Sequence, residues 1–310
     1  MRVKFTPRDK VFAALCALVI VIMWTPLKSL IGMSLQDERY THILVVPVIS
    51  AAFLFLERER IFLNSRYCLA MGVPLMLLGL LIGFVSNMRL SLSGHLTVSV
   101  GAAVLMWIGA FVLCYGLRSY KTVGFPFLLL LLMIPIPSGI LDRLVAALQT
   151  GSAELSYLLF RLAGVPVWKH GTLLALPGVD IEVAPQCSGM RSSMALVIAG
   201  AIISRVLLRT GWARIFVILC VGPIAIFRNA VRIVCISLLG VYVDRGFFFG
   251  HLHHYGGIPF SLVGFAIVIP LVWVLRRWEQ HLIRARVEPT DLDWTGGPVA
   301  ARSADGWVDG

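Results

Sequence analysis

Apolar residues in this chain fall in blocks of spanning or near-spanning length, parted by short polar breaks, almost to the C-terminus. A bilayer core of roughly 30 Å takes about twenty helical residues to cross. Inside it every backbone N–H and C=O must be satisfied within the protein, so such blocks fold as helices. Eight are legible, over residues 11–27, 42–56, 69–87, 96–116, 121–137, 189–208, 213–234 and 256–275. The second is short, and Tyr40, Thr41 and His42 extend it into the interface. The seventh is interrupted by Gly222, Pro223, Arg228 and Asn229, a break tolerated where backbone lines a protein-covered cavity. The expected fold class is an all-α polytopic membrane protein of about eight transmembrane helices, forming one domain over residues 1–287. Charged residues make up 14% of the chain, against about 25% in soluble domains. The N-terminal apolar block has no small-residue cleavage site and reads as an uncleaved first span. Residues 288–310, rich in Gly, Pro, Asp and Ala without periodicity, read as a disordered cytoplasmic tail.

The formal net charge of +11 would suggest nucleic acid on a soluble protein. Here the basic residues sit mostly at the ends of apolar blocks, as topology determinants and anchors for anionic headgroups. No basic cluster interleaved with aromatics occurs, so nucleic-acid binding is set aside. With the N-terminus in the cytoplasm, sixteen Lys and Arg fall on that side and seven on the other. The positive-inside rule then places both termini in the cytoplasm, and residues 138–188 and 235–255 outside. In the first of these external segments, residues 141–164 carry apolar residues at helical spacing, the pattern of an amphipathic helix near the membrane surface. Gly164 and Pro166 end it. The next stretch, 167–185, has short partly β-branched runs around Pro177-Gly178, which predicts a small hairpin leading to Cys187.

Six cysteines occur and no pair has CxxC spacing, which argues against a zinc ribbon or a disulfide framework. Cys16, Cys114, Cys220 and Cys235 lie in or beside apolar blocks, and Cys68 begins one; buried thiols of that kind behave as small hydrophobes. Cys187 differs, being set in Pro185-Gln186-Cys187-Ser188-Gly189-Met190-Arg191 at the external start of the sixth span. Unsatisfied N–H groups at a helix start, with the Arg191 cation one turn on, favour the nucleophilic thiolate. The plain alternative is a structural cysteine in a capping turn.

Two more polar clusters lie on the same side. Arg228-Asn229-Ala230-Val231-Arg232 carries two arginines and an amide at membrane depth, which must face the bundle interior or water. Arg232 shares a helix face with Asn229 and with Arg228; a single arginine there could instead snorkel to headgroups. Gly250-His251-Leu252-His253-His254-Tyr255-Gly256-Gly257 precedes the eighth span. Three histidines in four residues raise the question of metal, but neighbouring side chains rarely converge on one ion, and no HExxH occurs. One histidine as a general acid/base is the preferred reading, beside that of a polar interfacial loop. Thiol, guanidinium and imidazole together suit acyl transfer: nucleophile, oxyanion stabiliser and proton carrier. This chemistry needs no metal or other cofactor.

In order and spacing these residues resemble the exosortase/archaeosortase family of multispanning cysteine transpeptidases, over roughly residues 35–275. The motifs are Cys187-Ser188-Gly189, Asn229-Ala230-Val231-Arg232 and a histidine ahead of glycine before the last span. Weaker likeness lies in Tyr40-Thr41-His42 with Pro47, and in Phe125-Pro126 through Ile134-Pro135-Ile136-Pro137. The resemblance implies Cys187 as nucleophile and Arg232 as the essential arginine. It also implies His253 as third member, because Gly257 follows it by four residues. His251 and His254 compete for that role, and the three-histidine run departs from the family's usual single one. Arg191 and Asn229 would be supports. The implied substrates are exported proteins ending in a sorting signal: a short motif, a membrane span, then basic residues. The implied location is the cytoplasmic (inner) membrane, with the active site on the extracytoplasmic side.

Two other classes fit parts of the pattern. Intramembrane arginines suit a non-enzymatic transporter, or an assembly component for exported polysaccharide, but no internal repeat is found. A metal-dependent membrane protease would use the histidines.

Overall fold

The computed structural model describes residues 6–63, 65–89, 92–184, 190–248 and 257–287. Among them, helices α1 (Pro7–Ile22) and α2 (Trp24–Gln36) meet at Met23 with a bend of 78°. Next come α3 (His42–Leu56), the short α4 (Arg58–Leu63), α5 (Leu69–Arg89) and α6 (Leu92–Thr122). A short α7 (Phe125–Leu130) turns by 95° into α8 (Ser138–Leu162). A small sheet separates α8 from α9 (Met190–Leu207), which is followed by α10 (Gly211–Tyr242) and α11 (Gly257–Val287).

Five of these helices are long and apolar enough to cross a membrane: α5, α6, α9, α10 and α11. The bent pairs α1–α2 and α7–α8 raise the number to seven. That differs from eight straight spans, and the differences have local causes. The block at 11–27 is not one helix but breaks at Met23 and resumes to Gln36. The block at 121–137 holds only α7 and a 3-10 turn over Leu131–Met133 before the chain becomes extended. Pro135 and Pro137 lack N–H groups and drive Ile134 and Ile136 out of the helical region; Ile134 sits at φ −71°, ψ 117°. α3 has the expected bounds and remains short at 15 residues. The seventh block is not interrupted: α10 runs through Gly222 and Pro223 for 32 residues. Proline removes one ladder bond, and a surrounding bundle tolerates that. The tail at 288–310 lies outside the described residues.

α5 and α6 form a close antiparallel pair built on glycine. A methyl group at Gly72 would fall 2.5 Å from Leu113 Cα, and one at Gly109 2.9 Å from the Met76 nitrogen. Such absent side chains let membrane helices approach backbone to backbone, where dispersion contacts replace the missing hydrophobic drive. At Gly116, φ +87° breaks the regular course of α6, and a side chain there would meet Arg66 O at 2.7 Å. The preceding segment docks on that break: Arg66 N–H donates to Tyr115 O (3.2 Å) and Cys68 N–H to Leu113 O (3.1 Å).

The residues between α8 and α9 make a three-stranded antiparallel meander rather than one hairpin: β1 (Trp168–His170), β2 (Leu173–Leu176) and β3 (Val179–Glu182). Gly178 takes φ +82° in the expected Pro-Gly turn. Gly171, at φ +61°, makes a second turn that a sequence reading tuned to Pro-Gly overlooks. The meander lies on the C-terminal half of α8 and on α10, with Leu174, Leu176 and Val183 buried against Phe160, Val165 and Val234. α8 is the expected amphipathic helix. Its inward face carries Leu141, Val145, Ser152, Ala153, Ser156 and Phe160, while Ile140, Leu144, Leu158 and Leu162 are exposed.

Candidate active site

α9, α10 and α11 decide where the polar clusters meet. The turn at 208–210 makes α9 and α10 an antiparallel hairpin. Its register follows from Gly200, whose missing side chain leaves contact distances of 3.4 Å to Val221 and 3.8 Å to Val217. Counting up from there at about 1.5 Å per residue sets Met190 level with residues near Arg228. α11 joins at Gly264, which faces Leu196 of α9 (3.4 Å) and Arg228 Cδ (3.6 Å). From that junction Met190 lies about 9 Å up α9, Arg232 about 6 Å up α10 and Gly257 about 10 Å up α11. The start of α9, the start of α11 and the Arg232 turn of α10 therefore share one end of the bundle. At the other end Glu279 pins α11 to the α9–α10 turn, accepting from Arg209 N–H (3.0 Å) and Thr210 N–H (2.9 Å).

α8 and the meander wall this end. Asn229 Nδ2 donates to Ser152 Oγ at 3.0 Å, joining α10 to α8 inside the core. The close approach depends on Gly151, whose missing side chain leaves only 2.9 Å to Ile226. Gln149 Nε2 donates to Val183 O, and Val183 N–H to Thr172 O (3.0 Å), so α8 holds the strand that leads out to Ala184. Met190, where the described chain resumes, packs with Leu141 and Val145 of α8, with Met194, and with Tyr40. Tyr40 is itself held, its carbonyl accepting from Ser34 Oγ at 2.7 Å. Burial pushes its phenol up, so at neutral pH it is an O–H donor. Beside it the Arg39 guanidinium, hydrogen-bonded to Asp37, holds that carboxyl below the usual carboxylate range.

The expected site residues that fall in the described segments can now be located. Asn229 and Arg228 are almost fully buried, at 1% and 3% exposure. Arg232 is half-buried on the same helix, one turn beyond Arg228. Arg191 is exposed in the first turn of α9. Cys187, His251, His253 and His254 lie outside the described residues. The five described cysteines are all free thiols. Sequence reasoning missed Ser152, Gln149 and the seat of Tyr40 beside Met190. Gln149 and Ser152, three apart on the helix, were the available signal for a polar contact face on α8.

The Asn229–Ser152 bond carries a test of its own. In a double-mutant cycle with Asn229→Ala and Ser152→Ala, thermal stability should show a coupling of about 0.6 kcal/mol, the usual size for interhelical hydrogen bonds in membranes. Additive effects would mean that the contact contributes nothing net.

Comparison with known proteins bears on the same helices. A family profile described as transmembrane exosortase matches residues 33–274, well over half of the chain. No curated protein and no solved structure matches. The matched segment runs from the end of α2 into α11 and takes in both walls of the site.

Proposed function

Because the chain belongs to the transmembrane exosortase family, we propose that it is a membrane-embedded cysteine protease/transpeptidase that cleaves C-terminal sorting signals of exported proteins at the outer face of the cytoplasmic membrane. The observation that carries this reading is the shared level of Met190, Gly257 and the Arg232 turn. Cys187 is three residues from Met190 in the chain, and His253 is four from Gly257. The described helices that follow Cys187 and His253 in the chain start at the level of the Arg232 turn, which supports a site made of a thiol, a guanidinium and an imidazole.

In this mechanism the Cys187 thiolate attacks the carbonyl carbon of the scissile peptide, and the carbonyl electron pair moves to oxygen. Arg232 stabilises that oxyanion. Collapse expels the amine of the C-terminal fragment, which takes its proton from His253. A thioester remains on Cys187. Water, or the nucleophile of an acceptor, then attacks it, gives its proton to the imidazole and frees the thiolate, which restores the starting pair. Arg191 and Asn229 act as supports, the latter by fixing α10 against α8 through Ser152.

The five long helices, the two bent pairs and α3 can supply eight crossings. The bias of sixteen basic residues to seven then sets both termini in the cytoplasm and the site outside.

An exported reporter ending in a sorting motif, an apolar span and basic residues tests the activity. Co-expressed with this protein, it should lose its C-terminal fragment and run at lower mass. A reporter of unchanged mass across a panel of motifs would reject the peptidase reading.

Among the histidines, His253→Ala should lower processing most, by about a hundredfold, the usual range for a general acid/base. A larger loss from His254→Ala or His251→Ala would reassign the proton carrier.

A further inference from the structure

The end of the bundle opposite the candidate active site carries a second feature. Glu279 is 3% exposed, and its carboxylate is committed inward, to Arg209 N–H, Thr210 N–H and the Thr210 hydroxyl. This clamp fixes the α9–α10 turn against α11 and leaves a cleft of about 160 Å³ between them. Val206, Leu207 and Arg209 line it on one side, Arg276, Glu279 and Gln280 on the other. A contiguous hollow on α11 is lined by Trp273, Arg276, Arg277 and Gln280. Arg209 and Arg276 therefore line a cleft whose single carboxylate is already occupied by the backbone of the turn, and Arg277 lines the neighbouring hollow. The cleft holds roughly five waters' worth of volume at about 30 Å³ each, which suits a hydrated phosphate.

Two observations identify what kind of phosphate. Trp212, Trp273 and Trp278 are all exposed at this level. Trp212 and Trp278 meet edge to face at 5.4 Å, and Arg277 stacks on Trp273 at 4.7 Å. Exposed tryptophans beside basic residues mark the headgroup zone of a bilayer. On the same face of α11, an exposed lane of Leu262, Ala266, Ile269 and Trp273 runs from the second turn of the helix down to Arg276. Leu262 to Trp273 spans about 16 Å at helical rise, the depth of one leaflet of a roughly 30 Å core. An apolar lane of that depth ending in a cationic cleft has the shape of a phospholipid.

We propose that the cleft between the α9–α10 turn and α11 is a specific site for one anionic phospholipid, with its phosphate held by Arg209 and Arg276 and an acyl chain along the α11 lane. The anionic cytoplasmic leaflet would supply the ligand. The site is independent of the peptidase reading and would stand if that reading failed.

Native mass spectrometry of the full chain, released from nanodiscs of phosphatidylcholine with a minority of phosphatidylglycerol, tests the site. The unaltered protein should retain one phosphatidylglycerol. Arg209→Gln with Arg276→Gln should lower that retention about tenfold, whereas Arg118→Gln with Lys121→Gln should not. Arg276→Gln alone, a change at an exposed side chain, serves if the double variant does not fold, and should lower retention severalfold. Equal retention in all variants would overturn the proposal, as would equal loss in the Arg118/Lys121 control, which would mark surface charge only. Displacement by soluble glycerol phosphate would reveal an anion site and overturn the assignment to lipid.

Discussion

Replacing Cys187 with alanine should abolish processing of a sorting-signal reporter while leaving the protein inserted in the membrane at its normal level. The expected loss is at least about a thousandfold, because removing a covalent nucleophile leaves only binding and electrostatic assistance. The thiol is needed for one bond only, the thioester, so Cys187→Ser should be nearly as inactive: a hydroxyl is far harder to ionise than a thiol in the same place. The intermediate offers a direct readout. With the unaltered protein and a reporter, a denaturing gel should show an adduct that hydroxylamine releases, and Cys187→Ala should show none. Normal processing by Cys187→Ala would remove the acyl-transfer mechanism and return the chain to the transporter or assembly reading. The other five cysteines provide a control. Cys114 is fully buried in the α6 core, and alanine at Cys16, Cys68, Cys220 or Cys235 should change processing less than twofold, within about 0.4 kcal/mol.

Arg232→Gln is expected to lower turnover by about a thousandfold, the upper range for loss of an oxyanion donor and about 4 kcal/mol of transition-state stabilisation. Arg232→Lys is the sharper experiment. Lysine keeps the charge but loses the planar fork, so a drop of about a hundredfold would show that geometry matters as well as charge. The effect should fall on kcat with KM nearly unchanged, because the interaction is made fully only when the oxyanion forms. A rise in KM alone would make Arg232 a substrate anchor. Arg232 is half-buried and Arg228 is not accessible, so the two arginines should respond differently. Arg228→Gln should act first on stability, through the α9–α10–α11 junction at Gly264.

The long apolar helices were legible because twenty unbroken apolar residues have one solution in a membrane. Hence α5, α6, α9, α10 and α11 stand close to where hydropathy put them, with α10 running on through the mostly apolar residues 235–242 and α11 into the polar residues after 275. The bends were not legible. The bend at Met23 has its cause in Pro26, whose missing N–H cannot bond Ile22 O and whose ring crowds that carbonyl; Met23 itself is buried with Val19, Ala103 and Met106. At 134–137 the two prolines were visible, but a count of apolar residues ran across them. In the candidate site, Asn229 and Arg232 were legible because polar residues in a span demand a reason. Ser152 was not, because a serine on an amphipathic helix has many uses, and its partner is 77 residues away. The meander's first turn, at Gly171, was hidden by the absence of a flanking proline.

The two short apolar elements have a consequence for the lipid around them. α3 is 15 residues long and lies beside α7, which with its 3-10 turn contributes nine; Ile43 and Val46 pack in one cluster with Phe127, Leu130 and Met133. At helical rise α3 covers about 22 Å, some 8 Å less than a roughly 30 Å hydrocarbon core. If α3 crosses under the proposed topology, thinning of the membrane beside this flank would absorb the mismatch, at a cost of fractions of a kcal/mol per ångström. Tyr40, one residue-pair ahead of α3, stands where that depression opens, next to Met190. A peptide leaving the bilayer there emerges earlier than it would elsewhere along the protein. Under the proposed function, segments just outside a substrate's own span, which undisturbed lipid would keep among the headgroups, would be lowered to the height of the protein's polar rim.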